Sequence, residues 1–365
     1  MTSRTRLHGL DAARASMMLL GVFVHAALVI PELMPVDAGT GSFFAVSYAV
    51  VHSFRMPAFF LLSGFFAAYL LQSEGVRAFL VSRFKRIVSV LAVAATIIAS
   101  LLWQTGCTWC SPSQSRDYLS TALIYLWFLY YLVIISHLAL VAHLLAKRLP
   151  ARMLELGRAL TEALRLGPVA VGVIGLVLAL VPGVIDTAGQ VRIEMGWVPN
   201  IPLLVFFGAF FALGWVINRN AEPLLRKVTA SAWVNFGLAA GFGAASAWLF
   251  SIGDASWQPV VQVLAVTYST FAVIGLFLRY LNAELAIVRY LADASYWVYL
   301  FHAPVMFVVI ALGAGAGWSP IIVAVVSIAS ALAFTIVTYH YLVRSTVIGK
   351  WLSGRRRPRR AKRVG

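Results

Sequence analysis

Ten apolar runs of 17–29 residues, at about 10–31, 43–71, 87–105, 120–145, 167–183, 201–218, 231–251, 258–278, 293–312 and 320–343, leave little else for this chain to be made of. A helix needs roughly 20 apolar residues to cross a hydrocarbon layer of ~30 Å. Only helices and closed barrels satisfy their own backbone in lipid, and these runs are too long for barrel strands. Composition agrees: 61% of the 365 residues are hydrophobic and 12% are charged, about half the charged share of a soluble domain. The expectation is an all-α membrane protein, a polytopic bundle of about ten transmembrane helices.

The basic residues set the orientation. With the N-terminus in the cytoplasm, 25 of the 29 Lys and Arg residues fall in cytoplasmic segments and two, Arg116 and Arg192, on the opposite side. The last two, Arg14 and Arg55, lie inside spans. Both termini are therefore expected to be cytoplasmic. The same distribution argues against nucleic acid as a partner, because the net charge of +16 sits in short patches between spans and forms no continuous basic face. No cleavable leader is expected, since the first apolar run keeps its charges and lacks a small-residue cleavage site. Two units follow: a transmembrane domain over 1–345 and a basic cytoplasmic tail over 346–365. The tail's RRRPRRAKR run suits anionic lipid headgroups. Residues 149–166 carry apolar positions at helical spacing among cations and suggest an interfacial helix. The CTWC at 107–110 reads as a local structural pair or free thiols, because a zinc site needs more ligands and that loop has no His. No metal is expected.

Chemistry is carried by the polar residues inside the apolar runs, where each costs free energy and is a functional-site candidate. In LDAARASMMLLGVFVHAALVI, residues 10–30, Arg14 and His25 are eleven residues apart. That separation is three helical turns, so both project from one face about 16 Å apart. The second run holds HSFRMPAFFLLSGFF, with His52 and Arg55 on one face, Pro57 expected to bend the helix, and Ser63–Gly64 small enough for close helix approach. In VSRFKRI, Arg83 and Arg86 stand at the mouth of the third run. They could form a phosphate-binding fork or simply be positive-inside charge. The fourth run holds YLWFLYYL, centred on Trp127, and the ninth holds SYWVYLFHAPV, which puts His302 at mid-membrane depth. His137, His143 and His340 lie nearer helix ends and read as packing or interfacial residues.

Taken together, LDAARA…H, FRMPAFFLLSGFF, RFKR, LWFLYYL and SYWVYLFH resemble the acyltransferase-3 family of membrane-integral bacterial O-acyltransferases. The first two motifs are most similar to its glucan-succinylating branch. The resemblance runs from residue 6 to about 343 and puts the family's R-x10-H motif on Arg14 and His25 and its RxxR motif on Arg83 and Arg86. It implies a cytoplasmic acyl-coenzyme A co-substrate, no bound cofactor, and a carbohydrate or glucan acceptor at the bacterial inner membrane. The acyl group is expected to be acetyl or succinyl. Within it, His25 is expected to act as general base, an acyl-His intermediate being the variant. Arg14 would hold the donor or stabilise the oxyanion, and Arg83 and Arg86 would bind donor phosphates. Arg55 and His302 would position the acceptor, contact the donor or orient His25, and His52 and Trp127 would help position substrate. Asp11, Glu194 and Asp293 are the acids that could pair with His25. Two other classes fit a ten-span chain: a transporter or flippase for a lipid-linked sugar, and a purely structural subunit. The first should show repeated halves, which are not evident. The second leaves the buried cations without a reason.

Overall fold

The computed structural model describes residues 8–104, 118–146, 159, 161–193 and 196–353. Its elements are α1 (His8–Leu33), α2 (Ala38–Arg83), a π-helical turn (Phe84–Val88), α3 (Ser89–Gln104), α4 (Tyr118–Ala146), α5 (Pro168–Ala179) and α6 (Ile201–Arg219). They continue as α7 (Ala221–Ala230), α8 (Ala232–Ser251), α9 (Gln258–Tyr280), α10 (Ala286–Gly315), α11 (Pro320–Thr338), a second π-helical turn (Tyr339–Val343) and α12 (Val347–Ser353). Among the described residues the one β pairing is an isolated bridge, Ile185 to Val191. The protein is an all-helical, multi-pass membrane protein. Eight described helical stretches are long and apolar enough to cross a bilayer. Each of the ten apolar runs is helical over most of its length. The second and third share one stretch, Ala38–Ile97, and the fifth yields the shorter α5. Cys107, Cys110, Glu194, most of 149–166 and the tail beyond 353 lie outside the described residues.

Two local expectations are revised. Pro57 sits in helical backbone, and the break in α2 falls at Gly75, whose φ of 82° is a conformation other side chains avoid. The loop after α6, which shows no apolar run of its own, holds α7. Its Leu224, Leu225 and Val228 are buried while Arg226 and Lys227 face out, the pattern of a helix lying along an interface.

α1 is central: it packs against α2, α9, α10 and α11. Backbone approach is close where Gly9 meets α9, since a Cβ there would stand 2.9 Å from the Leu278 Cα. At the rim, α8 and α11 keep apolar faces outward, including Phe236, Trp248, Ile322 and Val325. In water these would be a liability; in lipid they are ordinary.

The ends of the bundle differ. At the basic end, near Arg83 and Arg86, α12 docks back: the Trp351 indole donates to the Ser89 hydroxyl at 3.0 Å, and Leu352 is buried. Residues just past 345 thus help wall the domain. At the far end α2 starts at an exposed N-cap, Asp37, which accepts from the Thr40 N–H at 3.0 Å and hydroxyl at 2.6 Å. Those bonds, the hydroxyl's first, hold the Asp37 carboxyl below the usual carboxylate range. There too the loop 184–193 folds inward. Val184 and Val191 are buried, and Gln258 donates to the Gly189 carbonyl at 3.1 Å.

Candidate active site

The basic end holds a cavity of about 630 Å³, within the range of small-molecule sites. α1 contributes Asp11, Arg14 and Met18 to its wall; α2 contributes Phe59, Ser63 and Glu74. Arg83, Arg86, Phe128 of α4, Asp293 and Tyr296 of α10, and Leu352 of α12 complete the part that matters chemically. Three of the expected residues, Arg14, Arg83 and Arg86, therefore converge on one space although Arg14 lies about 70 residues before the other two.

How they are held differs. Arg14 lies 3.8 Å from Asp11, one turn earlier, and 6.0 Å from the Phe66 ring. Arg83 ends α2, with its guanidinium carbon 5.0 Å from the Phe79 ring and its Nε buried without a hydrogen-bond partner. Arg86 follows inside the π-helical turn, whose backbone is tied down where the Tyr296 hydroxyl donates to the Arg86 carbonyl at 2.6 Å. The i, i+3 spacing alone implies two guanidinium groups on one regular helix. The structure instead joins α2 to α3 through a π turn, a device that is rare and tends to mark functional positions.

Deeper in the bundle is a second polar group. The His25 and His302 rings are 5.3 Å apart, tilted by 41°. His302 is fully buried, and its Nδ1 donates to the Val298 and Tyr299 carbonyls, 3.0 Å each. That bond fixes the tautomer and leaves Nε2 as the basic nitrogen. Arg55 acts electrostatically on both histidines. One turn further, His52 stacks on Tyr48 at 4.9 Å and donates from Nε2 to the Val191 carbonyl at 2.8 Å. The inward-folded loop thus caps this cluster from the far end.

The two groups are adjacent but distinct. The cavity wall reaches Met18 on α1, Phe59 on α2 and Trp297 on α10; His25 is not part of it. Arg14 sits in the cavity, eleven residues or about 16 Å along α1 from His25. The expectation that Arg14 serves the oxyanion at His25 does not fit that distance, while its alternative, a donor contact, does. Asp11 and Asp293 also line the cavity, roughly 21 Å from His25 and 14 Å from His302 along their helices. Neither can be the acid that orients His25. Trp127 joins neither group. It is buried edge-on to Phe128 and Tyr131 and beside Phe207, and reaches the cavity only through Phe128. His137 bonds the Val133 carbonyl and His143 packs by Trp215, as expected of packing residues. The sequence alone does not single out Tyr299, Tyr296 or Gly21. Tyr299 and His302 are three apart, and Gly21 and His25 four apart, so helical periodicity alone would have put each beside its histidine.

A family model described as an acyltransferase domain matches residues 7–340. The chain belongs to the acyltransferase-3 family. This acyltransferase is also similar to curated relatives named "Glucans biosynthesis protein C". The one from Salmonella heidelberg (strain SL476) is 24% identical over 324 residues, covering 82% of each chain. Those from Salmonella gallinarum (strain 287/91 / NCTC 13346) and Salmonella enteritidis PT4 (strain P125109) are likewise 24% identical, over 323 and 331 residues, with the same coverage. No solved structure gives a significant match to the acyltransferase.

Proposed function

We propose that this acyltransferase moves an acetyl or succinyl group from cytoplasmic acyl-coenzyme A to a hydroxyl of an envelope carbohydrate, a glucan being favoured by the relatives' name. In this reading the chain crosses the bacterial inner membrane ten times with both ends in the cytoplasm. The 25-to-2 split of basic residues supports that arrangement. The basic end is then the cytoplasmic one, and the donor enters there.

One observation carries the reading: Arg14, Arg83 and Arg86 share a cavity whose inner wall, at Met18 and Trp297, lies roughly 8–10 Å along the helices from His25 and His302, themselves paired at 5.3 Å. A coenzyme A donor is anionic at its nucleotide end and thin along its pantetheine arm. Its phosphates suit the arginines, and its thioester would extend past Met18 towards His25. His25 takes the proton of the acceptor hydroxyl as that oxygen attacks the thioester carbonyl. The acceptor would come from the far end, where His52 and Tyr48 lie beneath the 184–193 loop.

The reading is tested with purified protein in nanodiscs, supplied with acetyl- or succinyl-coenzyme A and glucan oligosaccharides. Mass spectrometry should find an ester on the sugar and free coenzyme A in equal amount; envelope glycans of a deletion strain should lack that ester. Sugar accumulation in vesicles without an acyl donor would favour a transporter instead. The donor site has its own prediction. Arg83→Ala and Arg86→Ala, each made singly, should raise the KM for the acyl donor about 10- to 100-fold with little change in kcat. Each lost charged hydrogen bond is worth roughly 1.5–3 kcal/mol. An unchanged KM removes the phosphate role.

A further inference from the structure

Three helices define matching levels through the bundle. On α1 the order is Met18, Gly21, His25; on α2, read in reverse, Phe59, Arg55, His52; on α10, Tyr296, Tyr299, His302. The first residue of each set lines the cavity. The last of each set is a histidine. Steps are three or four residues, about 4.5–6 Å. Gly21, Arg55 and Tyr299 therefore occupy the neck between the donor cavity and the histidines. Contacts bear out the levels: a Cβ on Gly21 would come within 2.8 Å of the Arg55 Nη1, and Tyr299 and Tyr48 are its electrostatic neighbours. At the cavity side of the neck, Phe128 meets the Tyr299 ring edge-on at 6.0 Å.

Arg55 is 5% exposed. Its Nε is buried without a hydrogen-bond partner, and none of the ion pairs among the described residues includes it. A guanidinium withdrawn from water and left without an anion is strongly unfavourable, and packing gives no reason for it. It becomes favourable when negative charge forms beside it, which is how a preorganised donor stabilises a transition state.

We propose that the Arg55 guanidinium binds the negative charge that develops on the acyl carbonyl oxygen during transfer. This rests on the acyl-transfer reading above and names the group that completes it. The acceptor hydroxyl oxygen bonds to the thioester carbon as its proton passes to His25. The carbonyl π pair moves onto oxygen, beside Arg55. Collapse re-forms the carbonyl and breaks the C–S bond, and the departing thiolate takes the proton from His25. Arg55 is then a catalytic residue, while Arg14 remains with the donor.

The test uses the full-length protein in nanodiscs with acetyl- and succinyl-coenzyme A and a glucan acceptor. Arg55→Gln should lower kcat about 10²–10³-fold, the usual loss of one oxyanion donor, with KM for both donors within about threefold. Arg14→Gln should move KM instead. Because Arg55→Gln could disturb folding, Gly21→Ala serves as the second variant. Alanine suits a helix, and among the described residues the atoms outside its own helix backbone that come within 4 Å of the new methyl belong to Arg55. It should lower kcat at unchanged KM and unchanged melting temperature. The inference is overturned if folded Arg55→Gln keeps kcat within threefold, if its loss falls wholly in KM, or if Gly21→Ala keeps full kcat. It is also overturned if only succinyl transfer suffers, since Arg55 would then read a substrate carboxylate. A wild type that turns over no acyl donor sinks the acyl-transfer reading and this inference together, and so is told apart from an active wild type with an active Arg55→Gln.

Discussion

His25→Ala should abolish acyl transfer to within background, a loss of about 10²–10⁴-fold in kcat, while the protein still purifies folded. The size follows from position. His25 is the residue of α1 that faces His302, 5.3 Å away, with the Arg55 guanidinium nearby. His302 is not an equivalent substitute. Its Nδ1 is committed to the carbonyls of its own helix, so its ring is held in one orientation. His302→Ala should therefore lower kcat less than His25→Ala, by weakening the placement of His25. The fold should survive loss of the His25 ring, because α1 is anchored on either side by buried Val22, Val24, Ala26 and Ala27. The check is a matched pair of measurements: steady-state turnover of acyl-coenzyme A, and thermal unfolding in the same nanodiscs. Wild-type turnover in a folded His25→Ala would remove the assigned base. A second readout separates the two chemical routes. Donor labelled in the acyl group and offered without acceptor should leave no label on the protein if His25 acts only as a base. Label retained by the wild type and lost in His25→Ala would make it the nucleophile instead.

Much of this architecture is legible from residues alone, and the misses have physical causes. Apolar runs mark helices in lipid because backbone satisfaction leaves no other choice, so the order of elements follows from hydropathy. Periodicity puts Arg14 and His25 on one face of α1, and that face does point into the bundle. Periodicity does not say that the face serves two compartments. That depends on where the bundle fills in, at Met18, Phe59 and Phe128, and packing of this kind is set by residues from three helices at once. Arg55 illustrates the same limit. As one cation in HSFRMPAFF its partners are open; its place beside Gly21 and Tyr299 emerges only when α1, α2 and α10 assemble. The π turn at Arg86 and the break at Gly75 are also hidden, because π and α turns draw on the same residue types. α7 is hidden for another reason: ten residues lying along a surface have no need to be long or uniformly apolar.

Gly64→Ala and Gly214→Ala should each destabilise the folded protein by several degrees or prevent its recovery, the largest stability effects of any single methyl added here. The two glycines sit at one crossing of α2 and α6. A Cβ on Gly64 would stand 1.9 Å from the Phe211 carbonyl oxygen, and one on Gly214 would stand 1.8 Å from the Leu61 carbonyl oxygen. On each helix the glycine and the contacted carbonyl are three residues apart, so the helices touch backbone to backbone over one turn, as small residues permit in membranes. A side chain in the way could rotate aside; a helical carbonyl cannot. The helices must separate instead, and overpacking of this kind costs about 1–3 kcal/mol or more. Gly208 provides the control on the same helix. Nothing lies within 4 Å of a Cβ there, so Gly208→Ala should be neutral or stabilise by up to about 1 kcal/mol. The comparison is thermal unfolding of the three variants in identical nanodiscs, and a Gly64→Ala that melts with the wild type would mean the crossing is looser than described. Activity should fall before the fold does. α2 carries Phe59, Arg55 and His52 in successive turns towards the far end from Gly64, so prying α2 from α6 moves the neck residue relative to His25. A shift of about 1 Å at a reacting centre can cost 10²-fold in rate. Any Gly64→Ala protein that is recovered folded should therefore lose kcat out of proportion to its loss of melting temperature, whereas Gly208→Ala should lose neither.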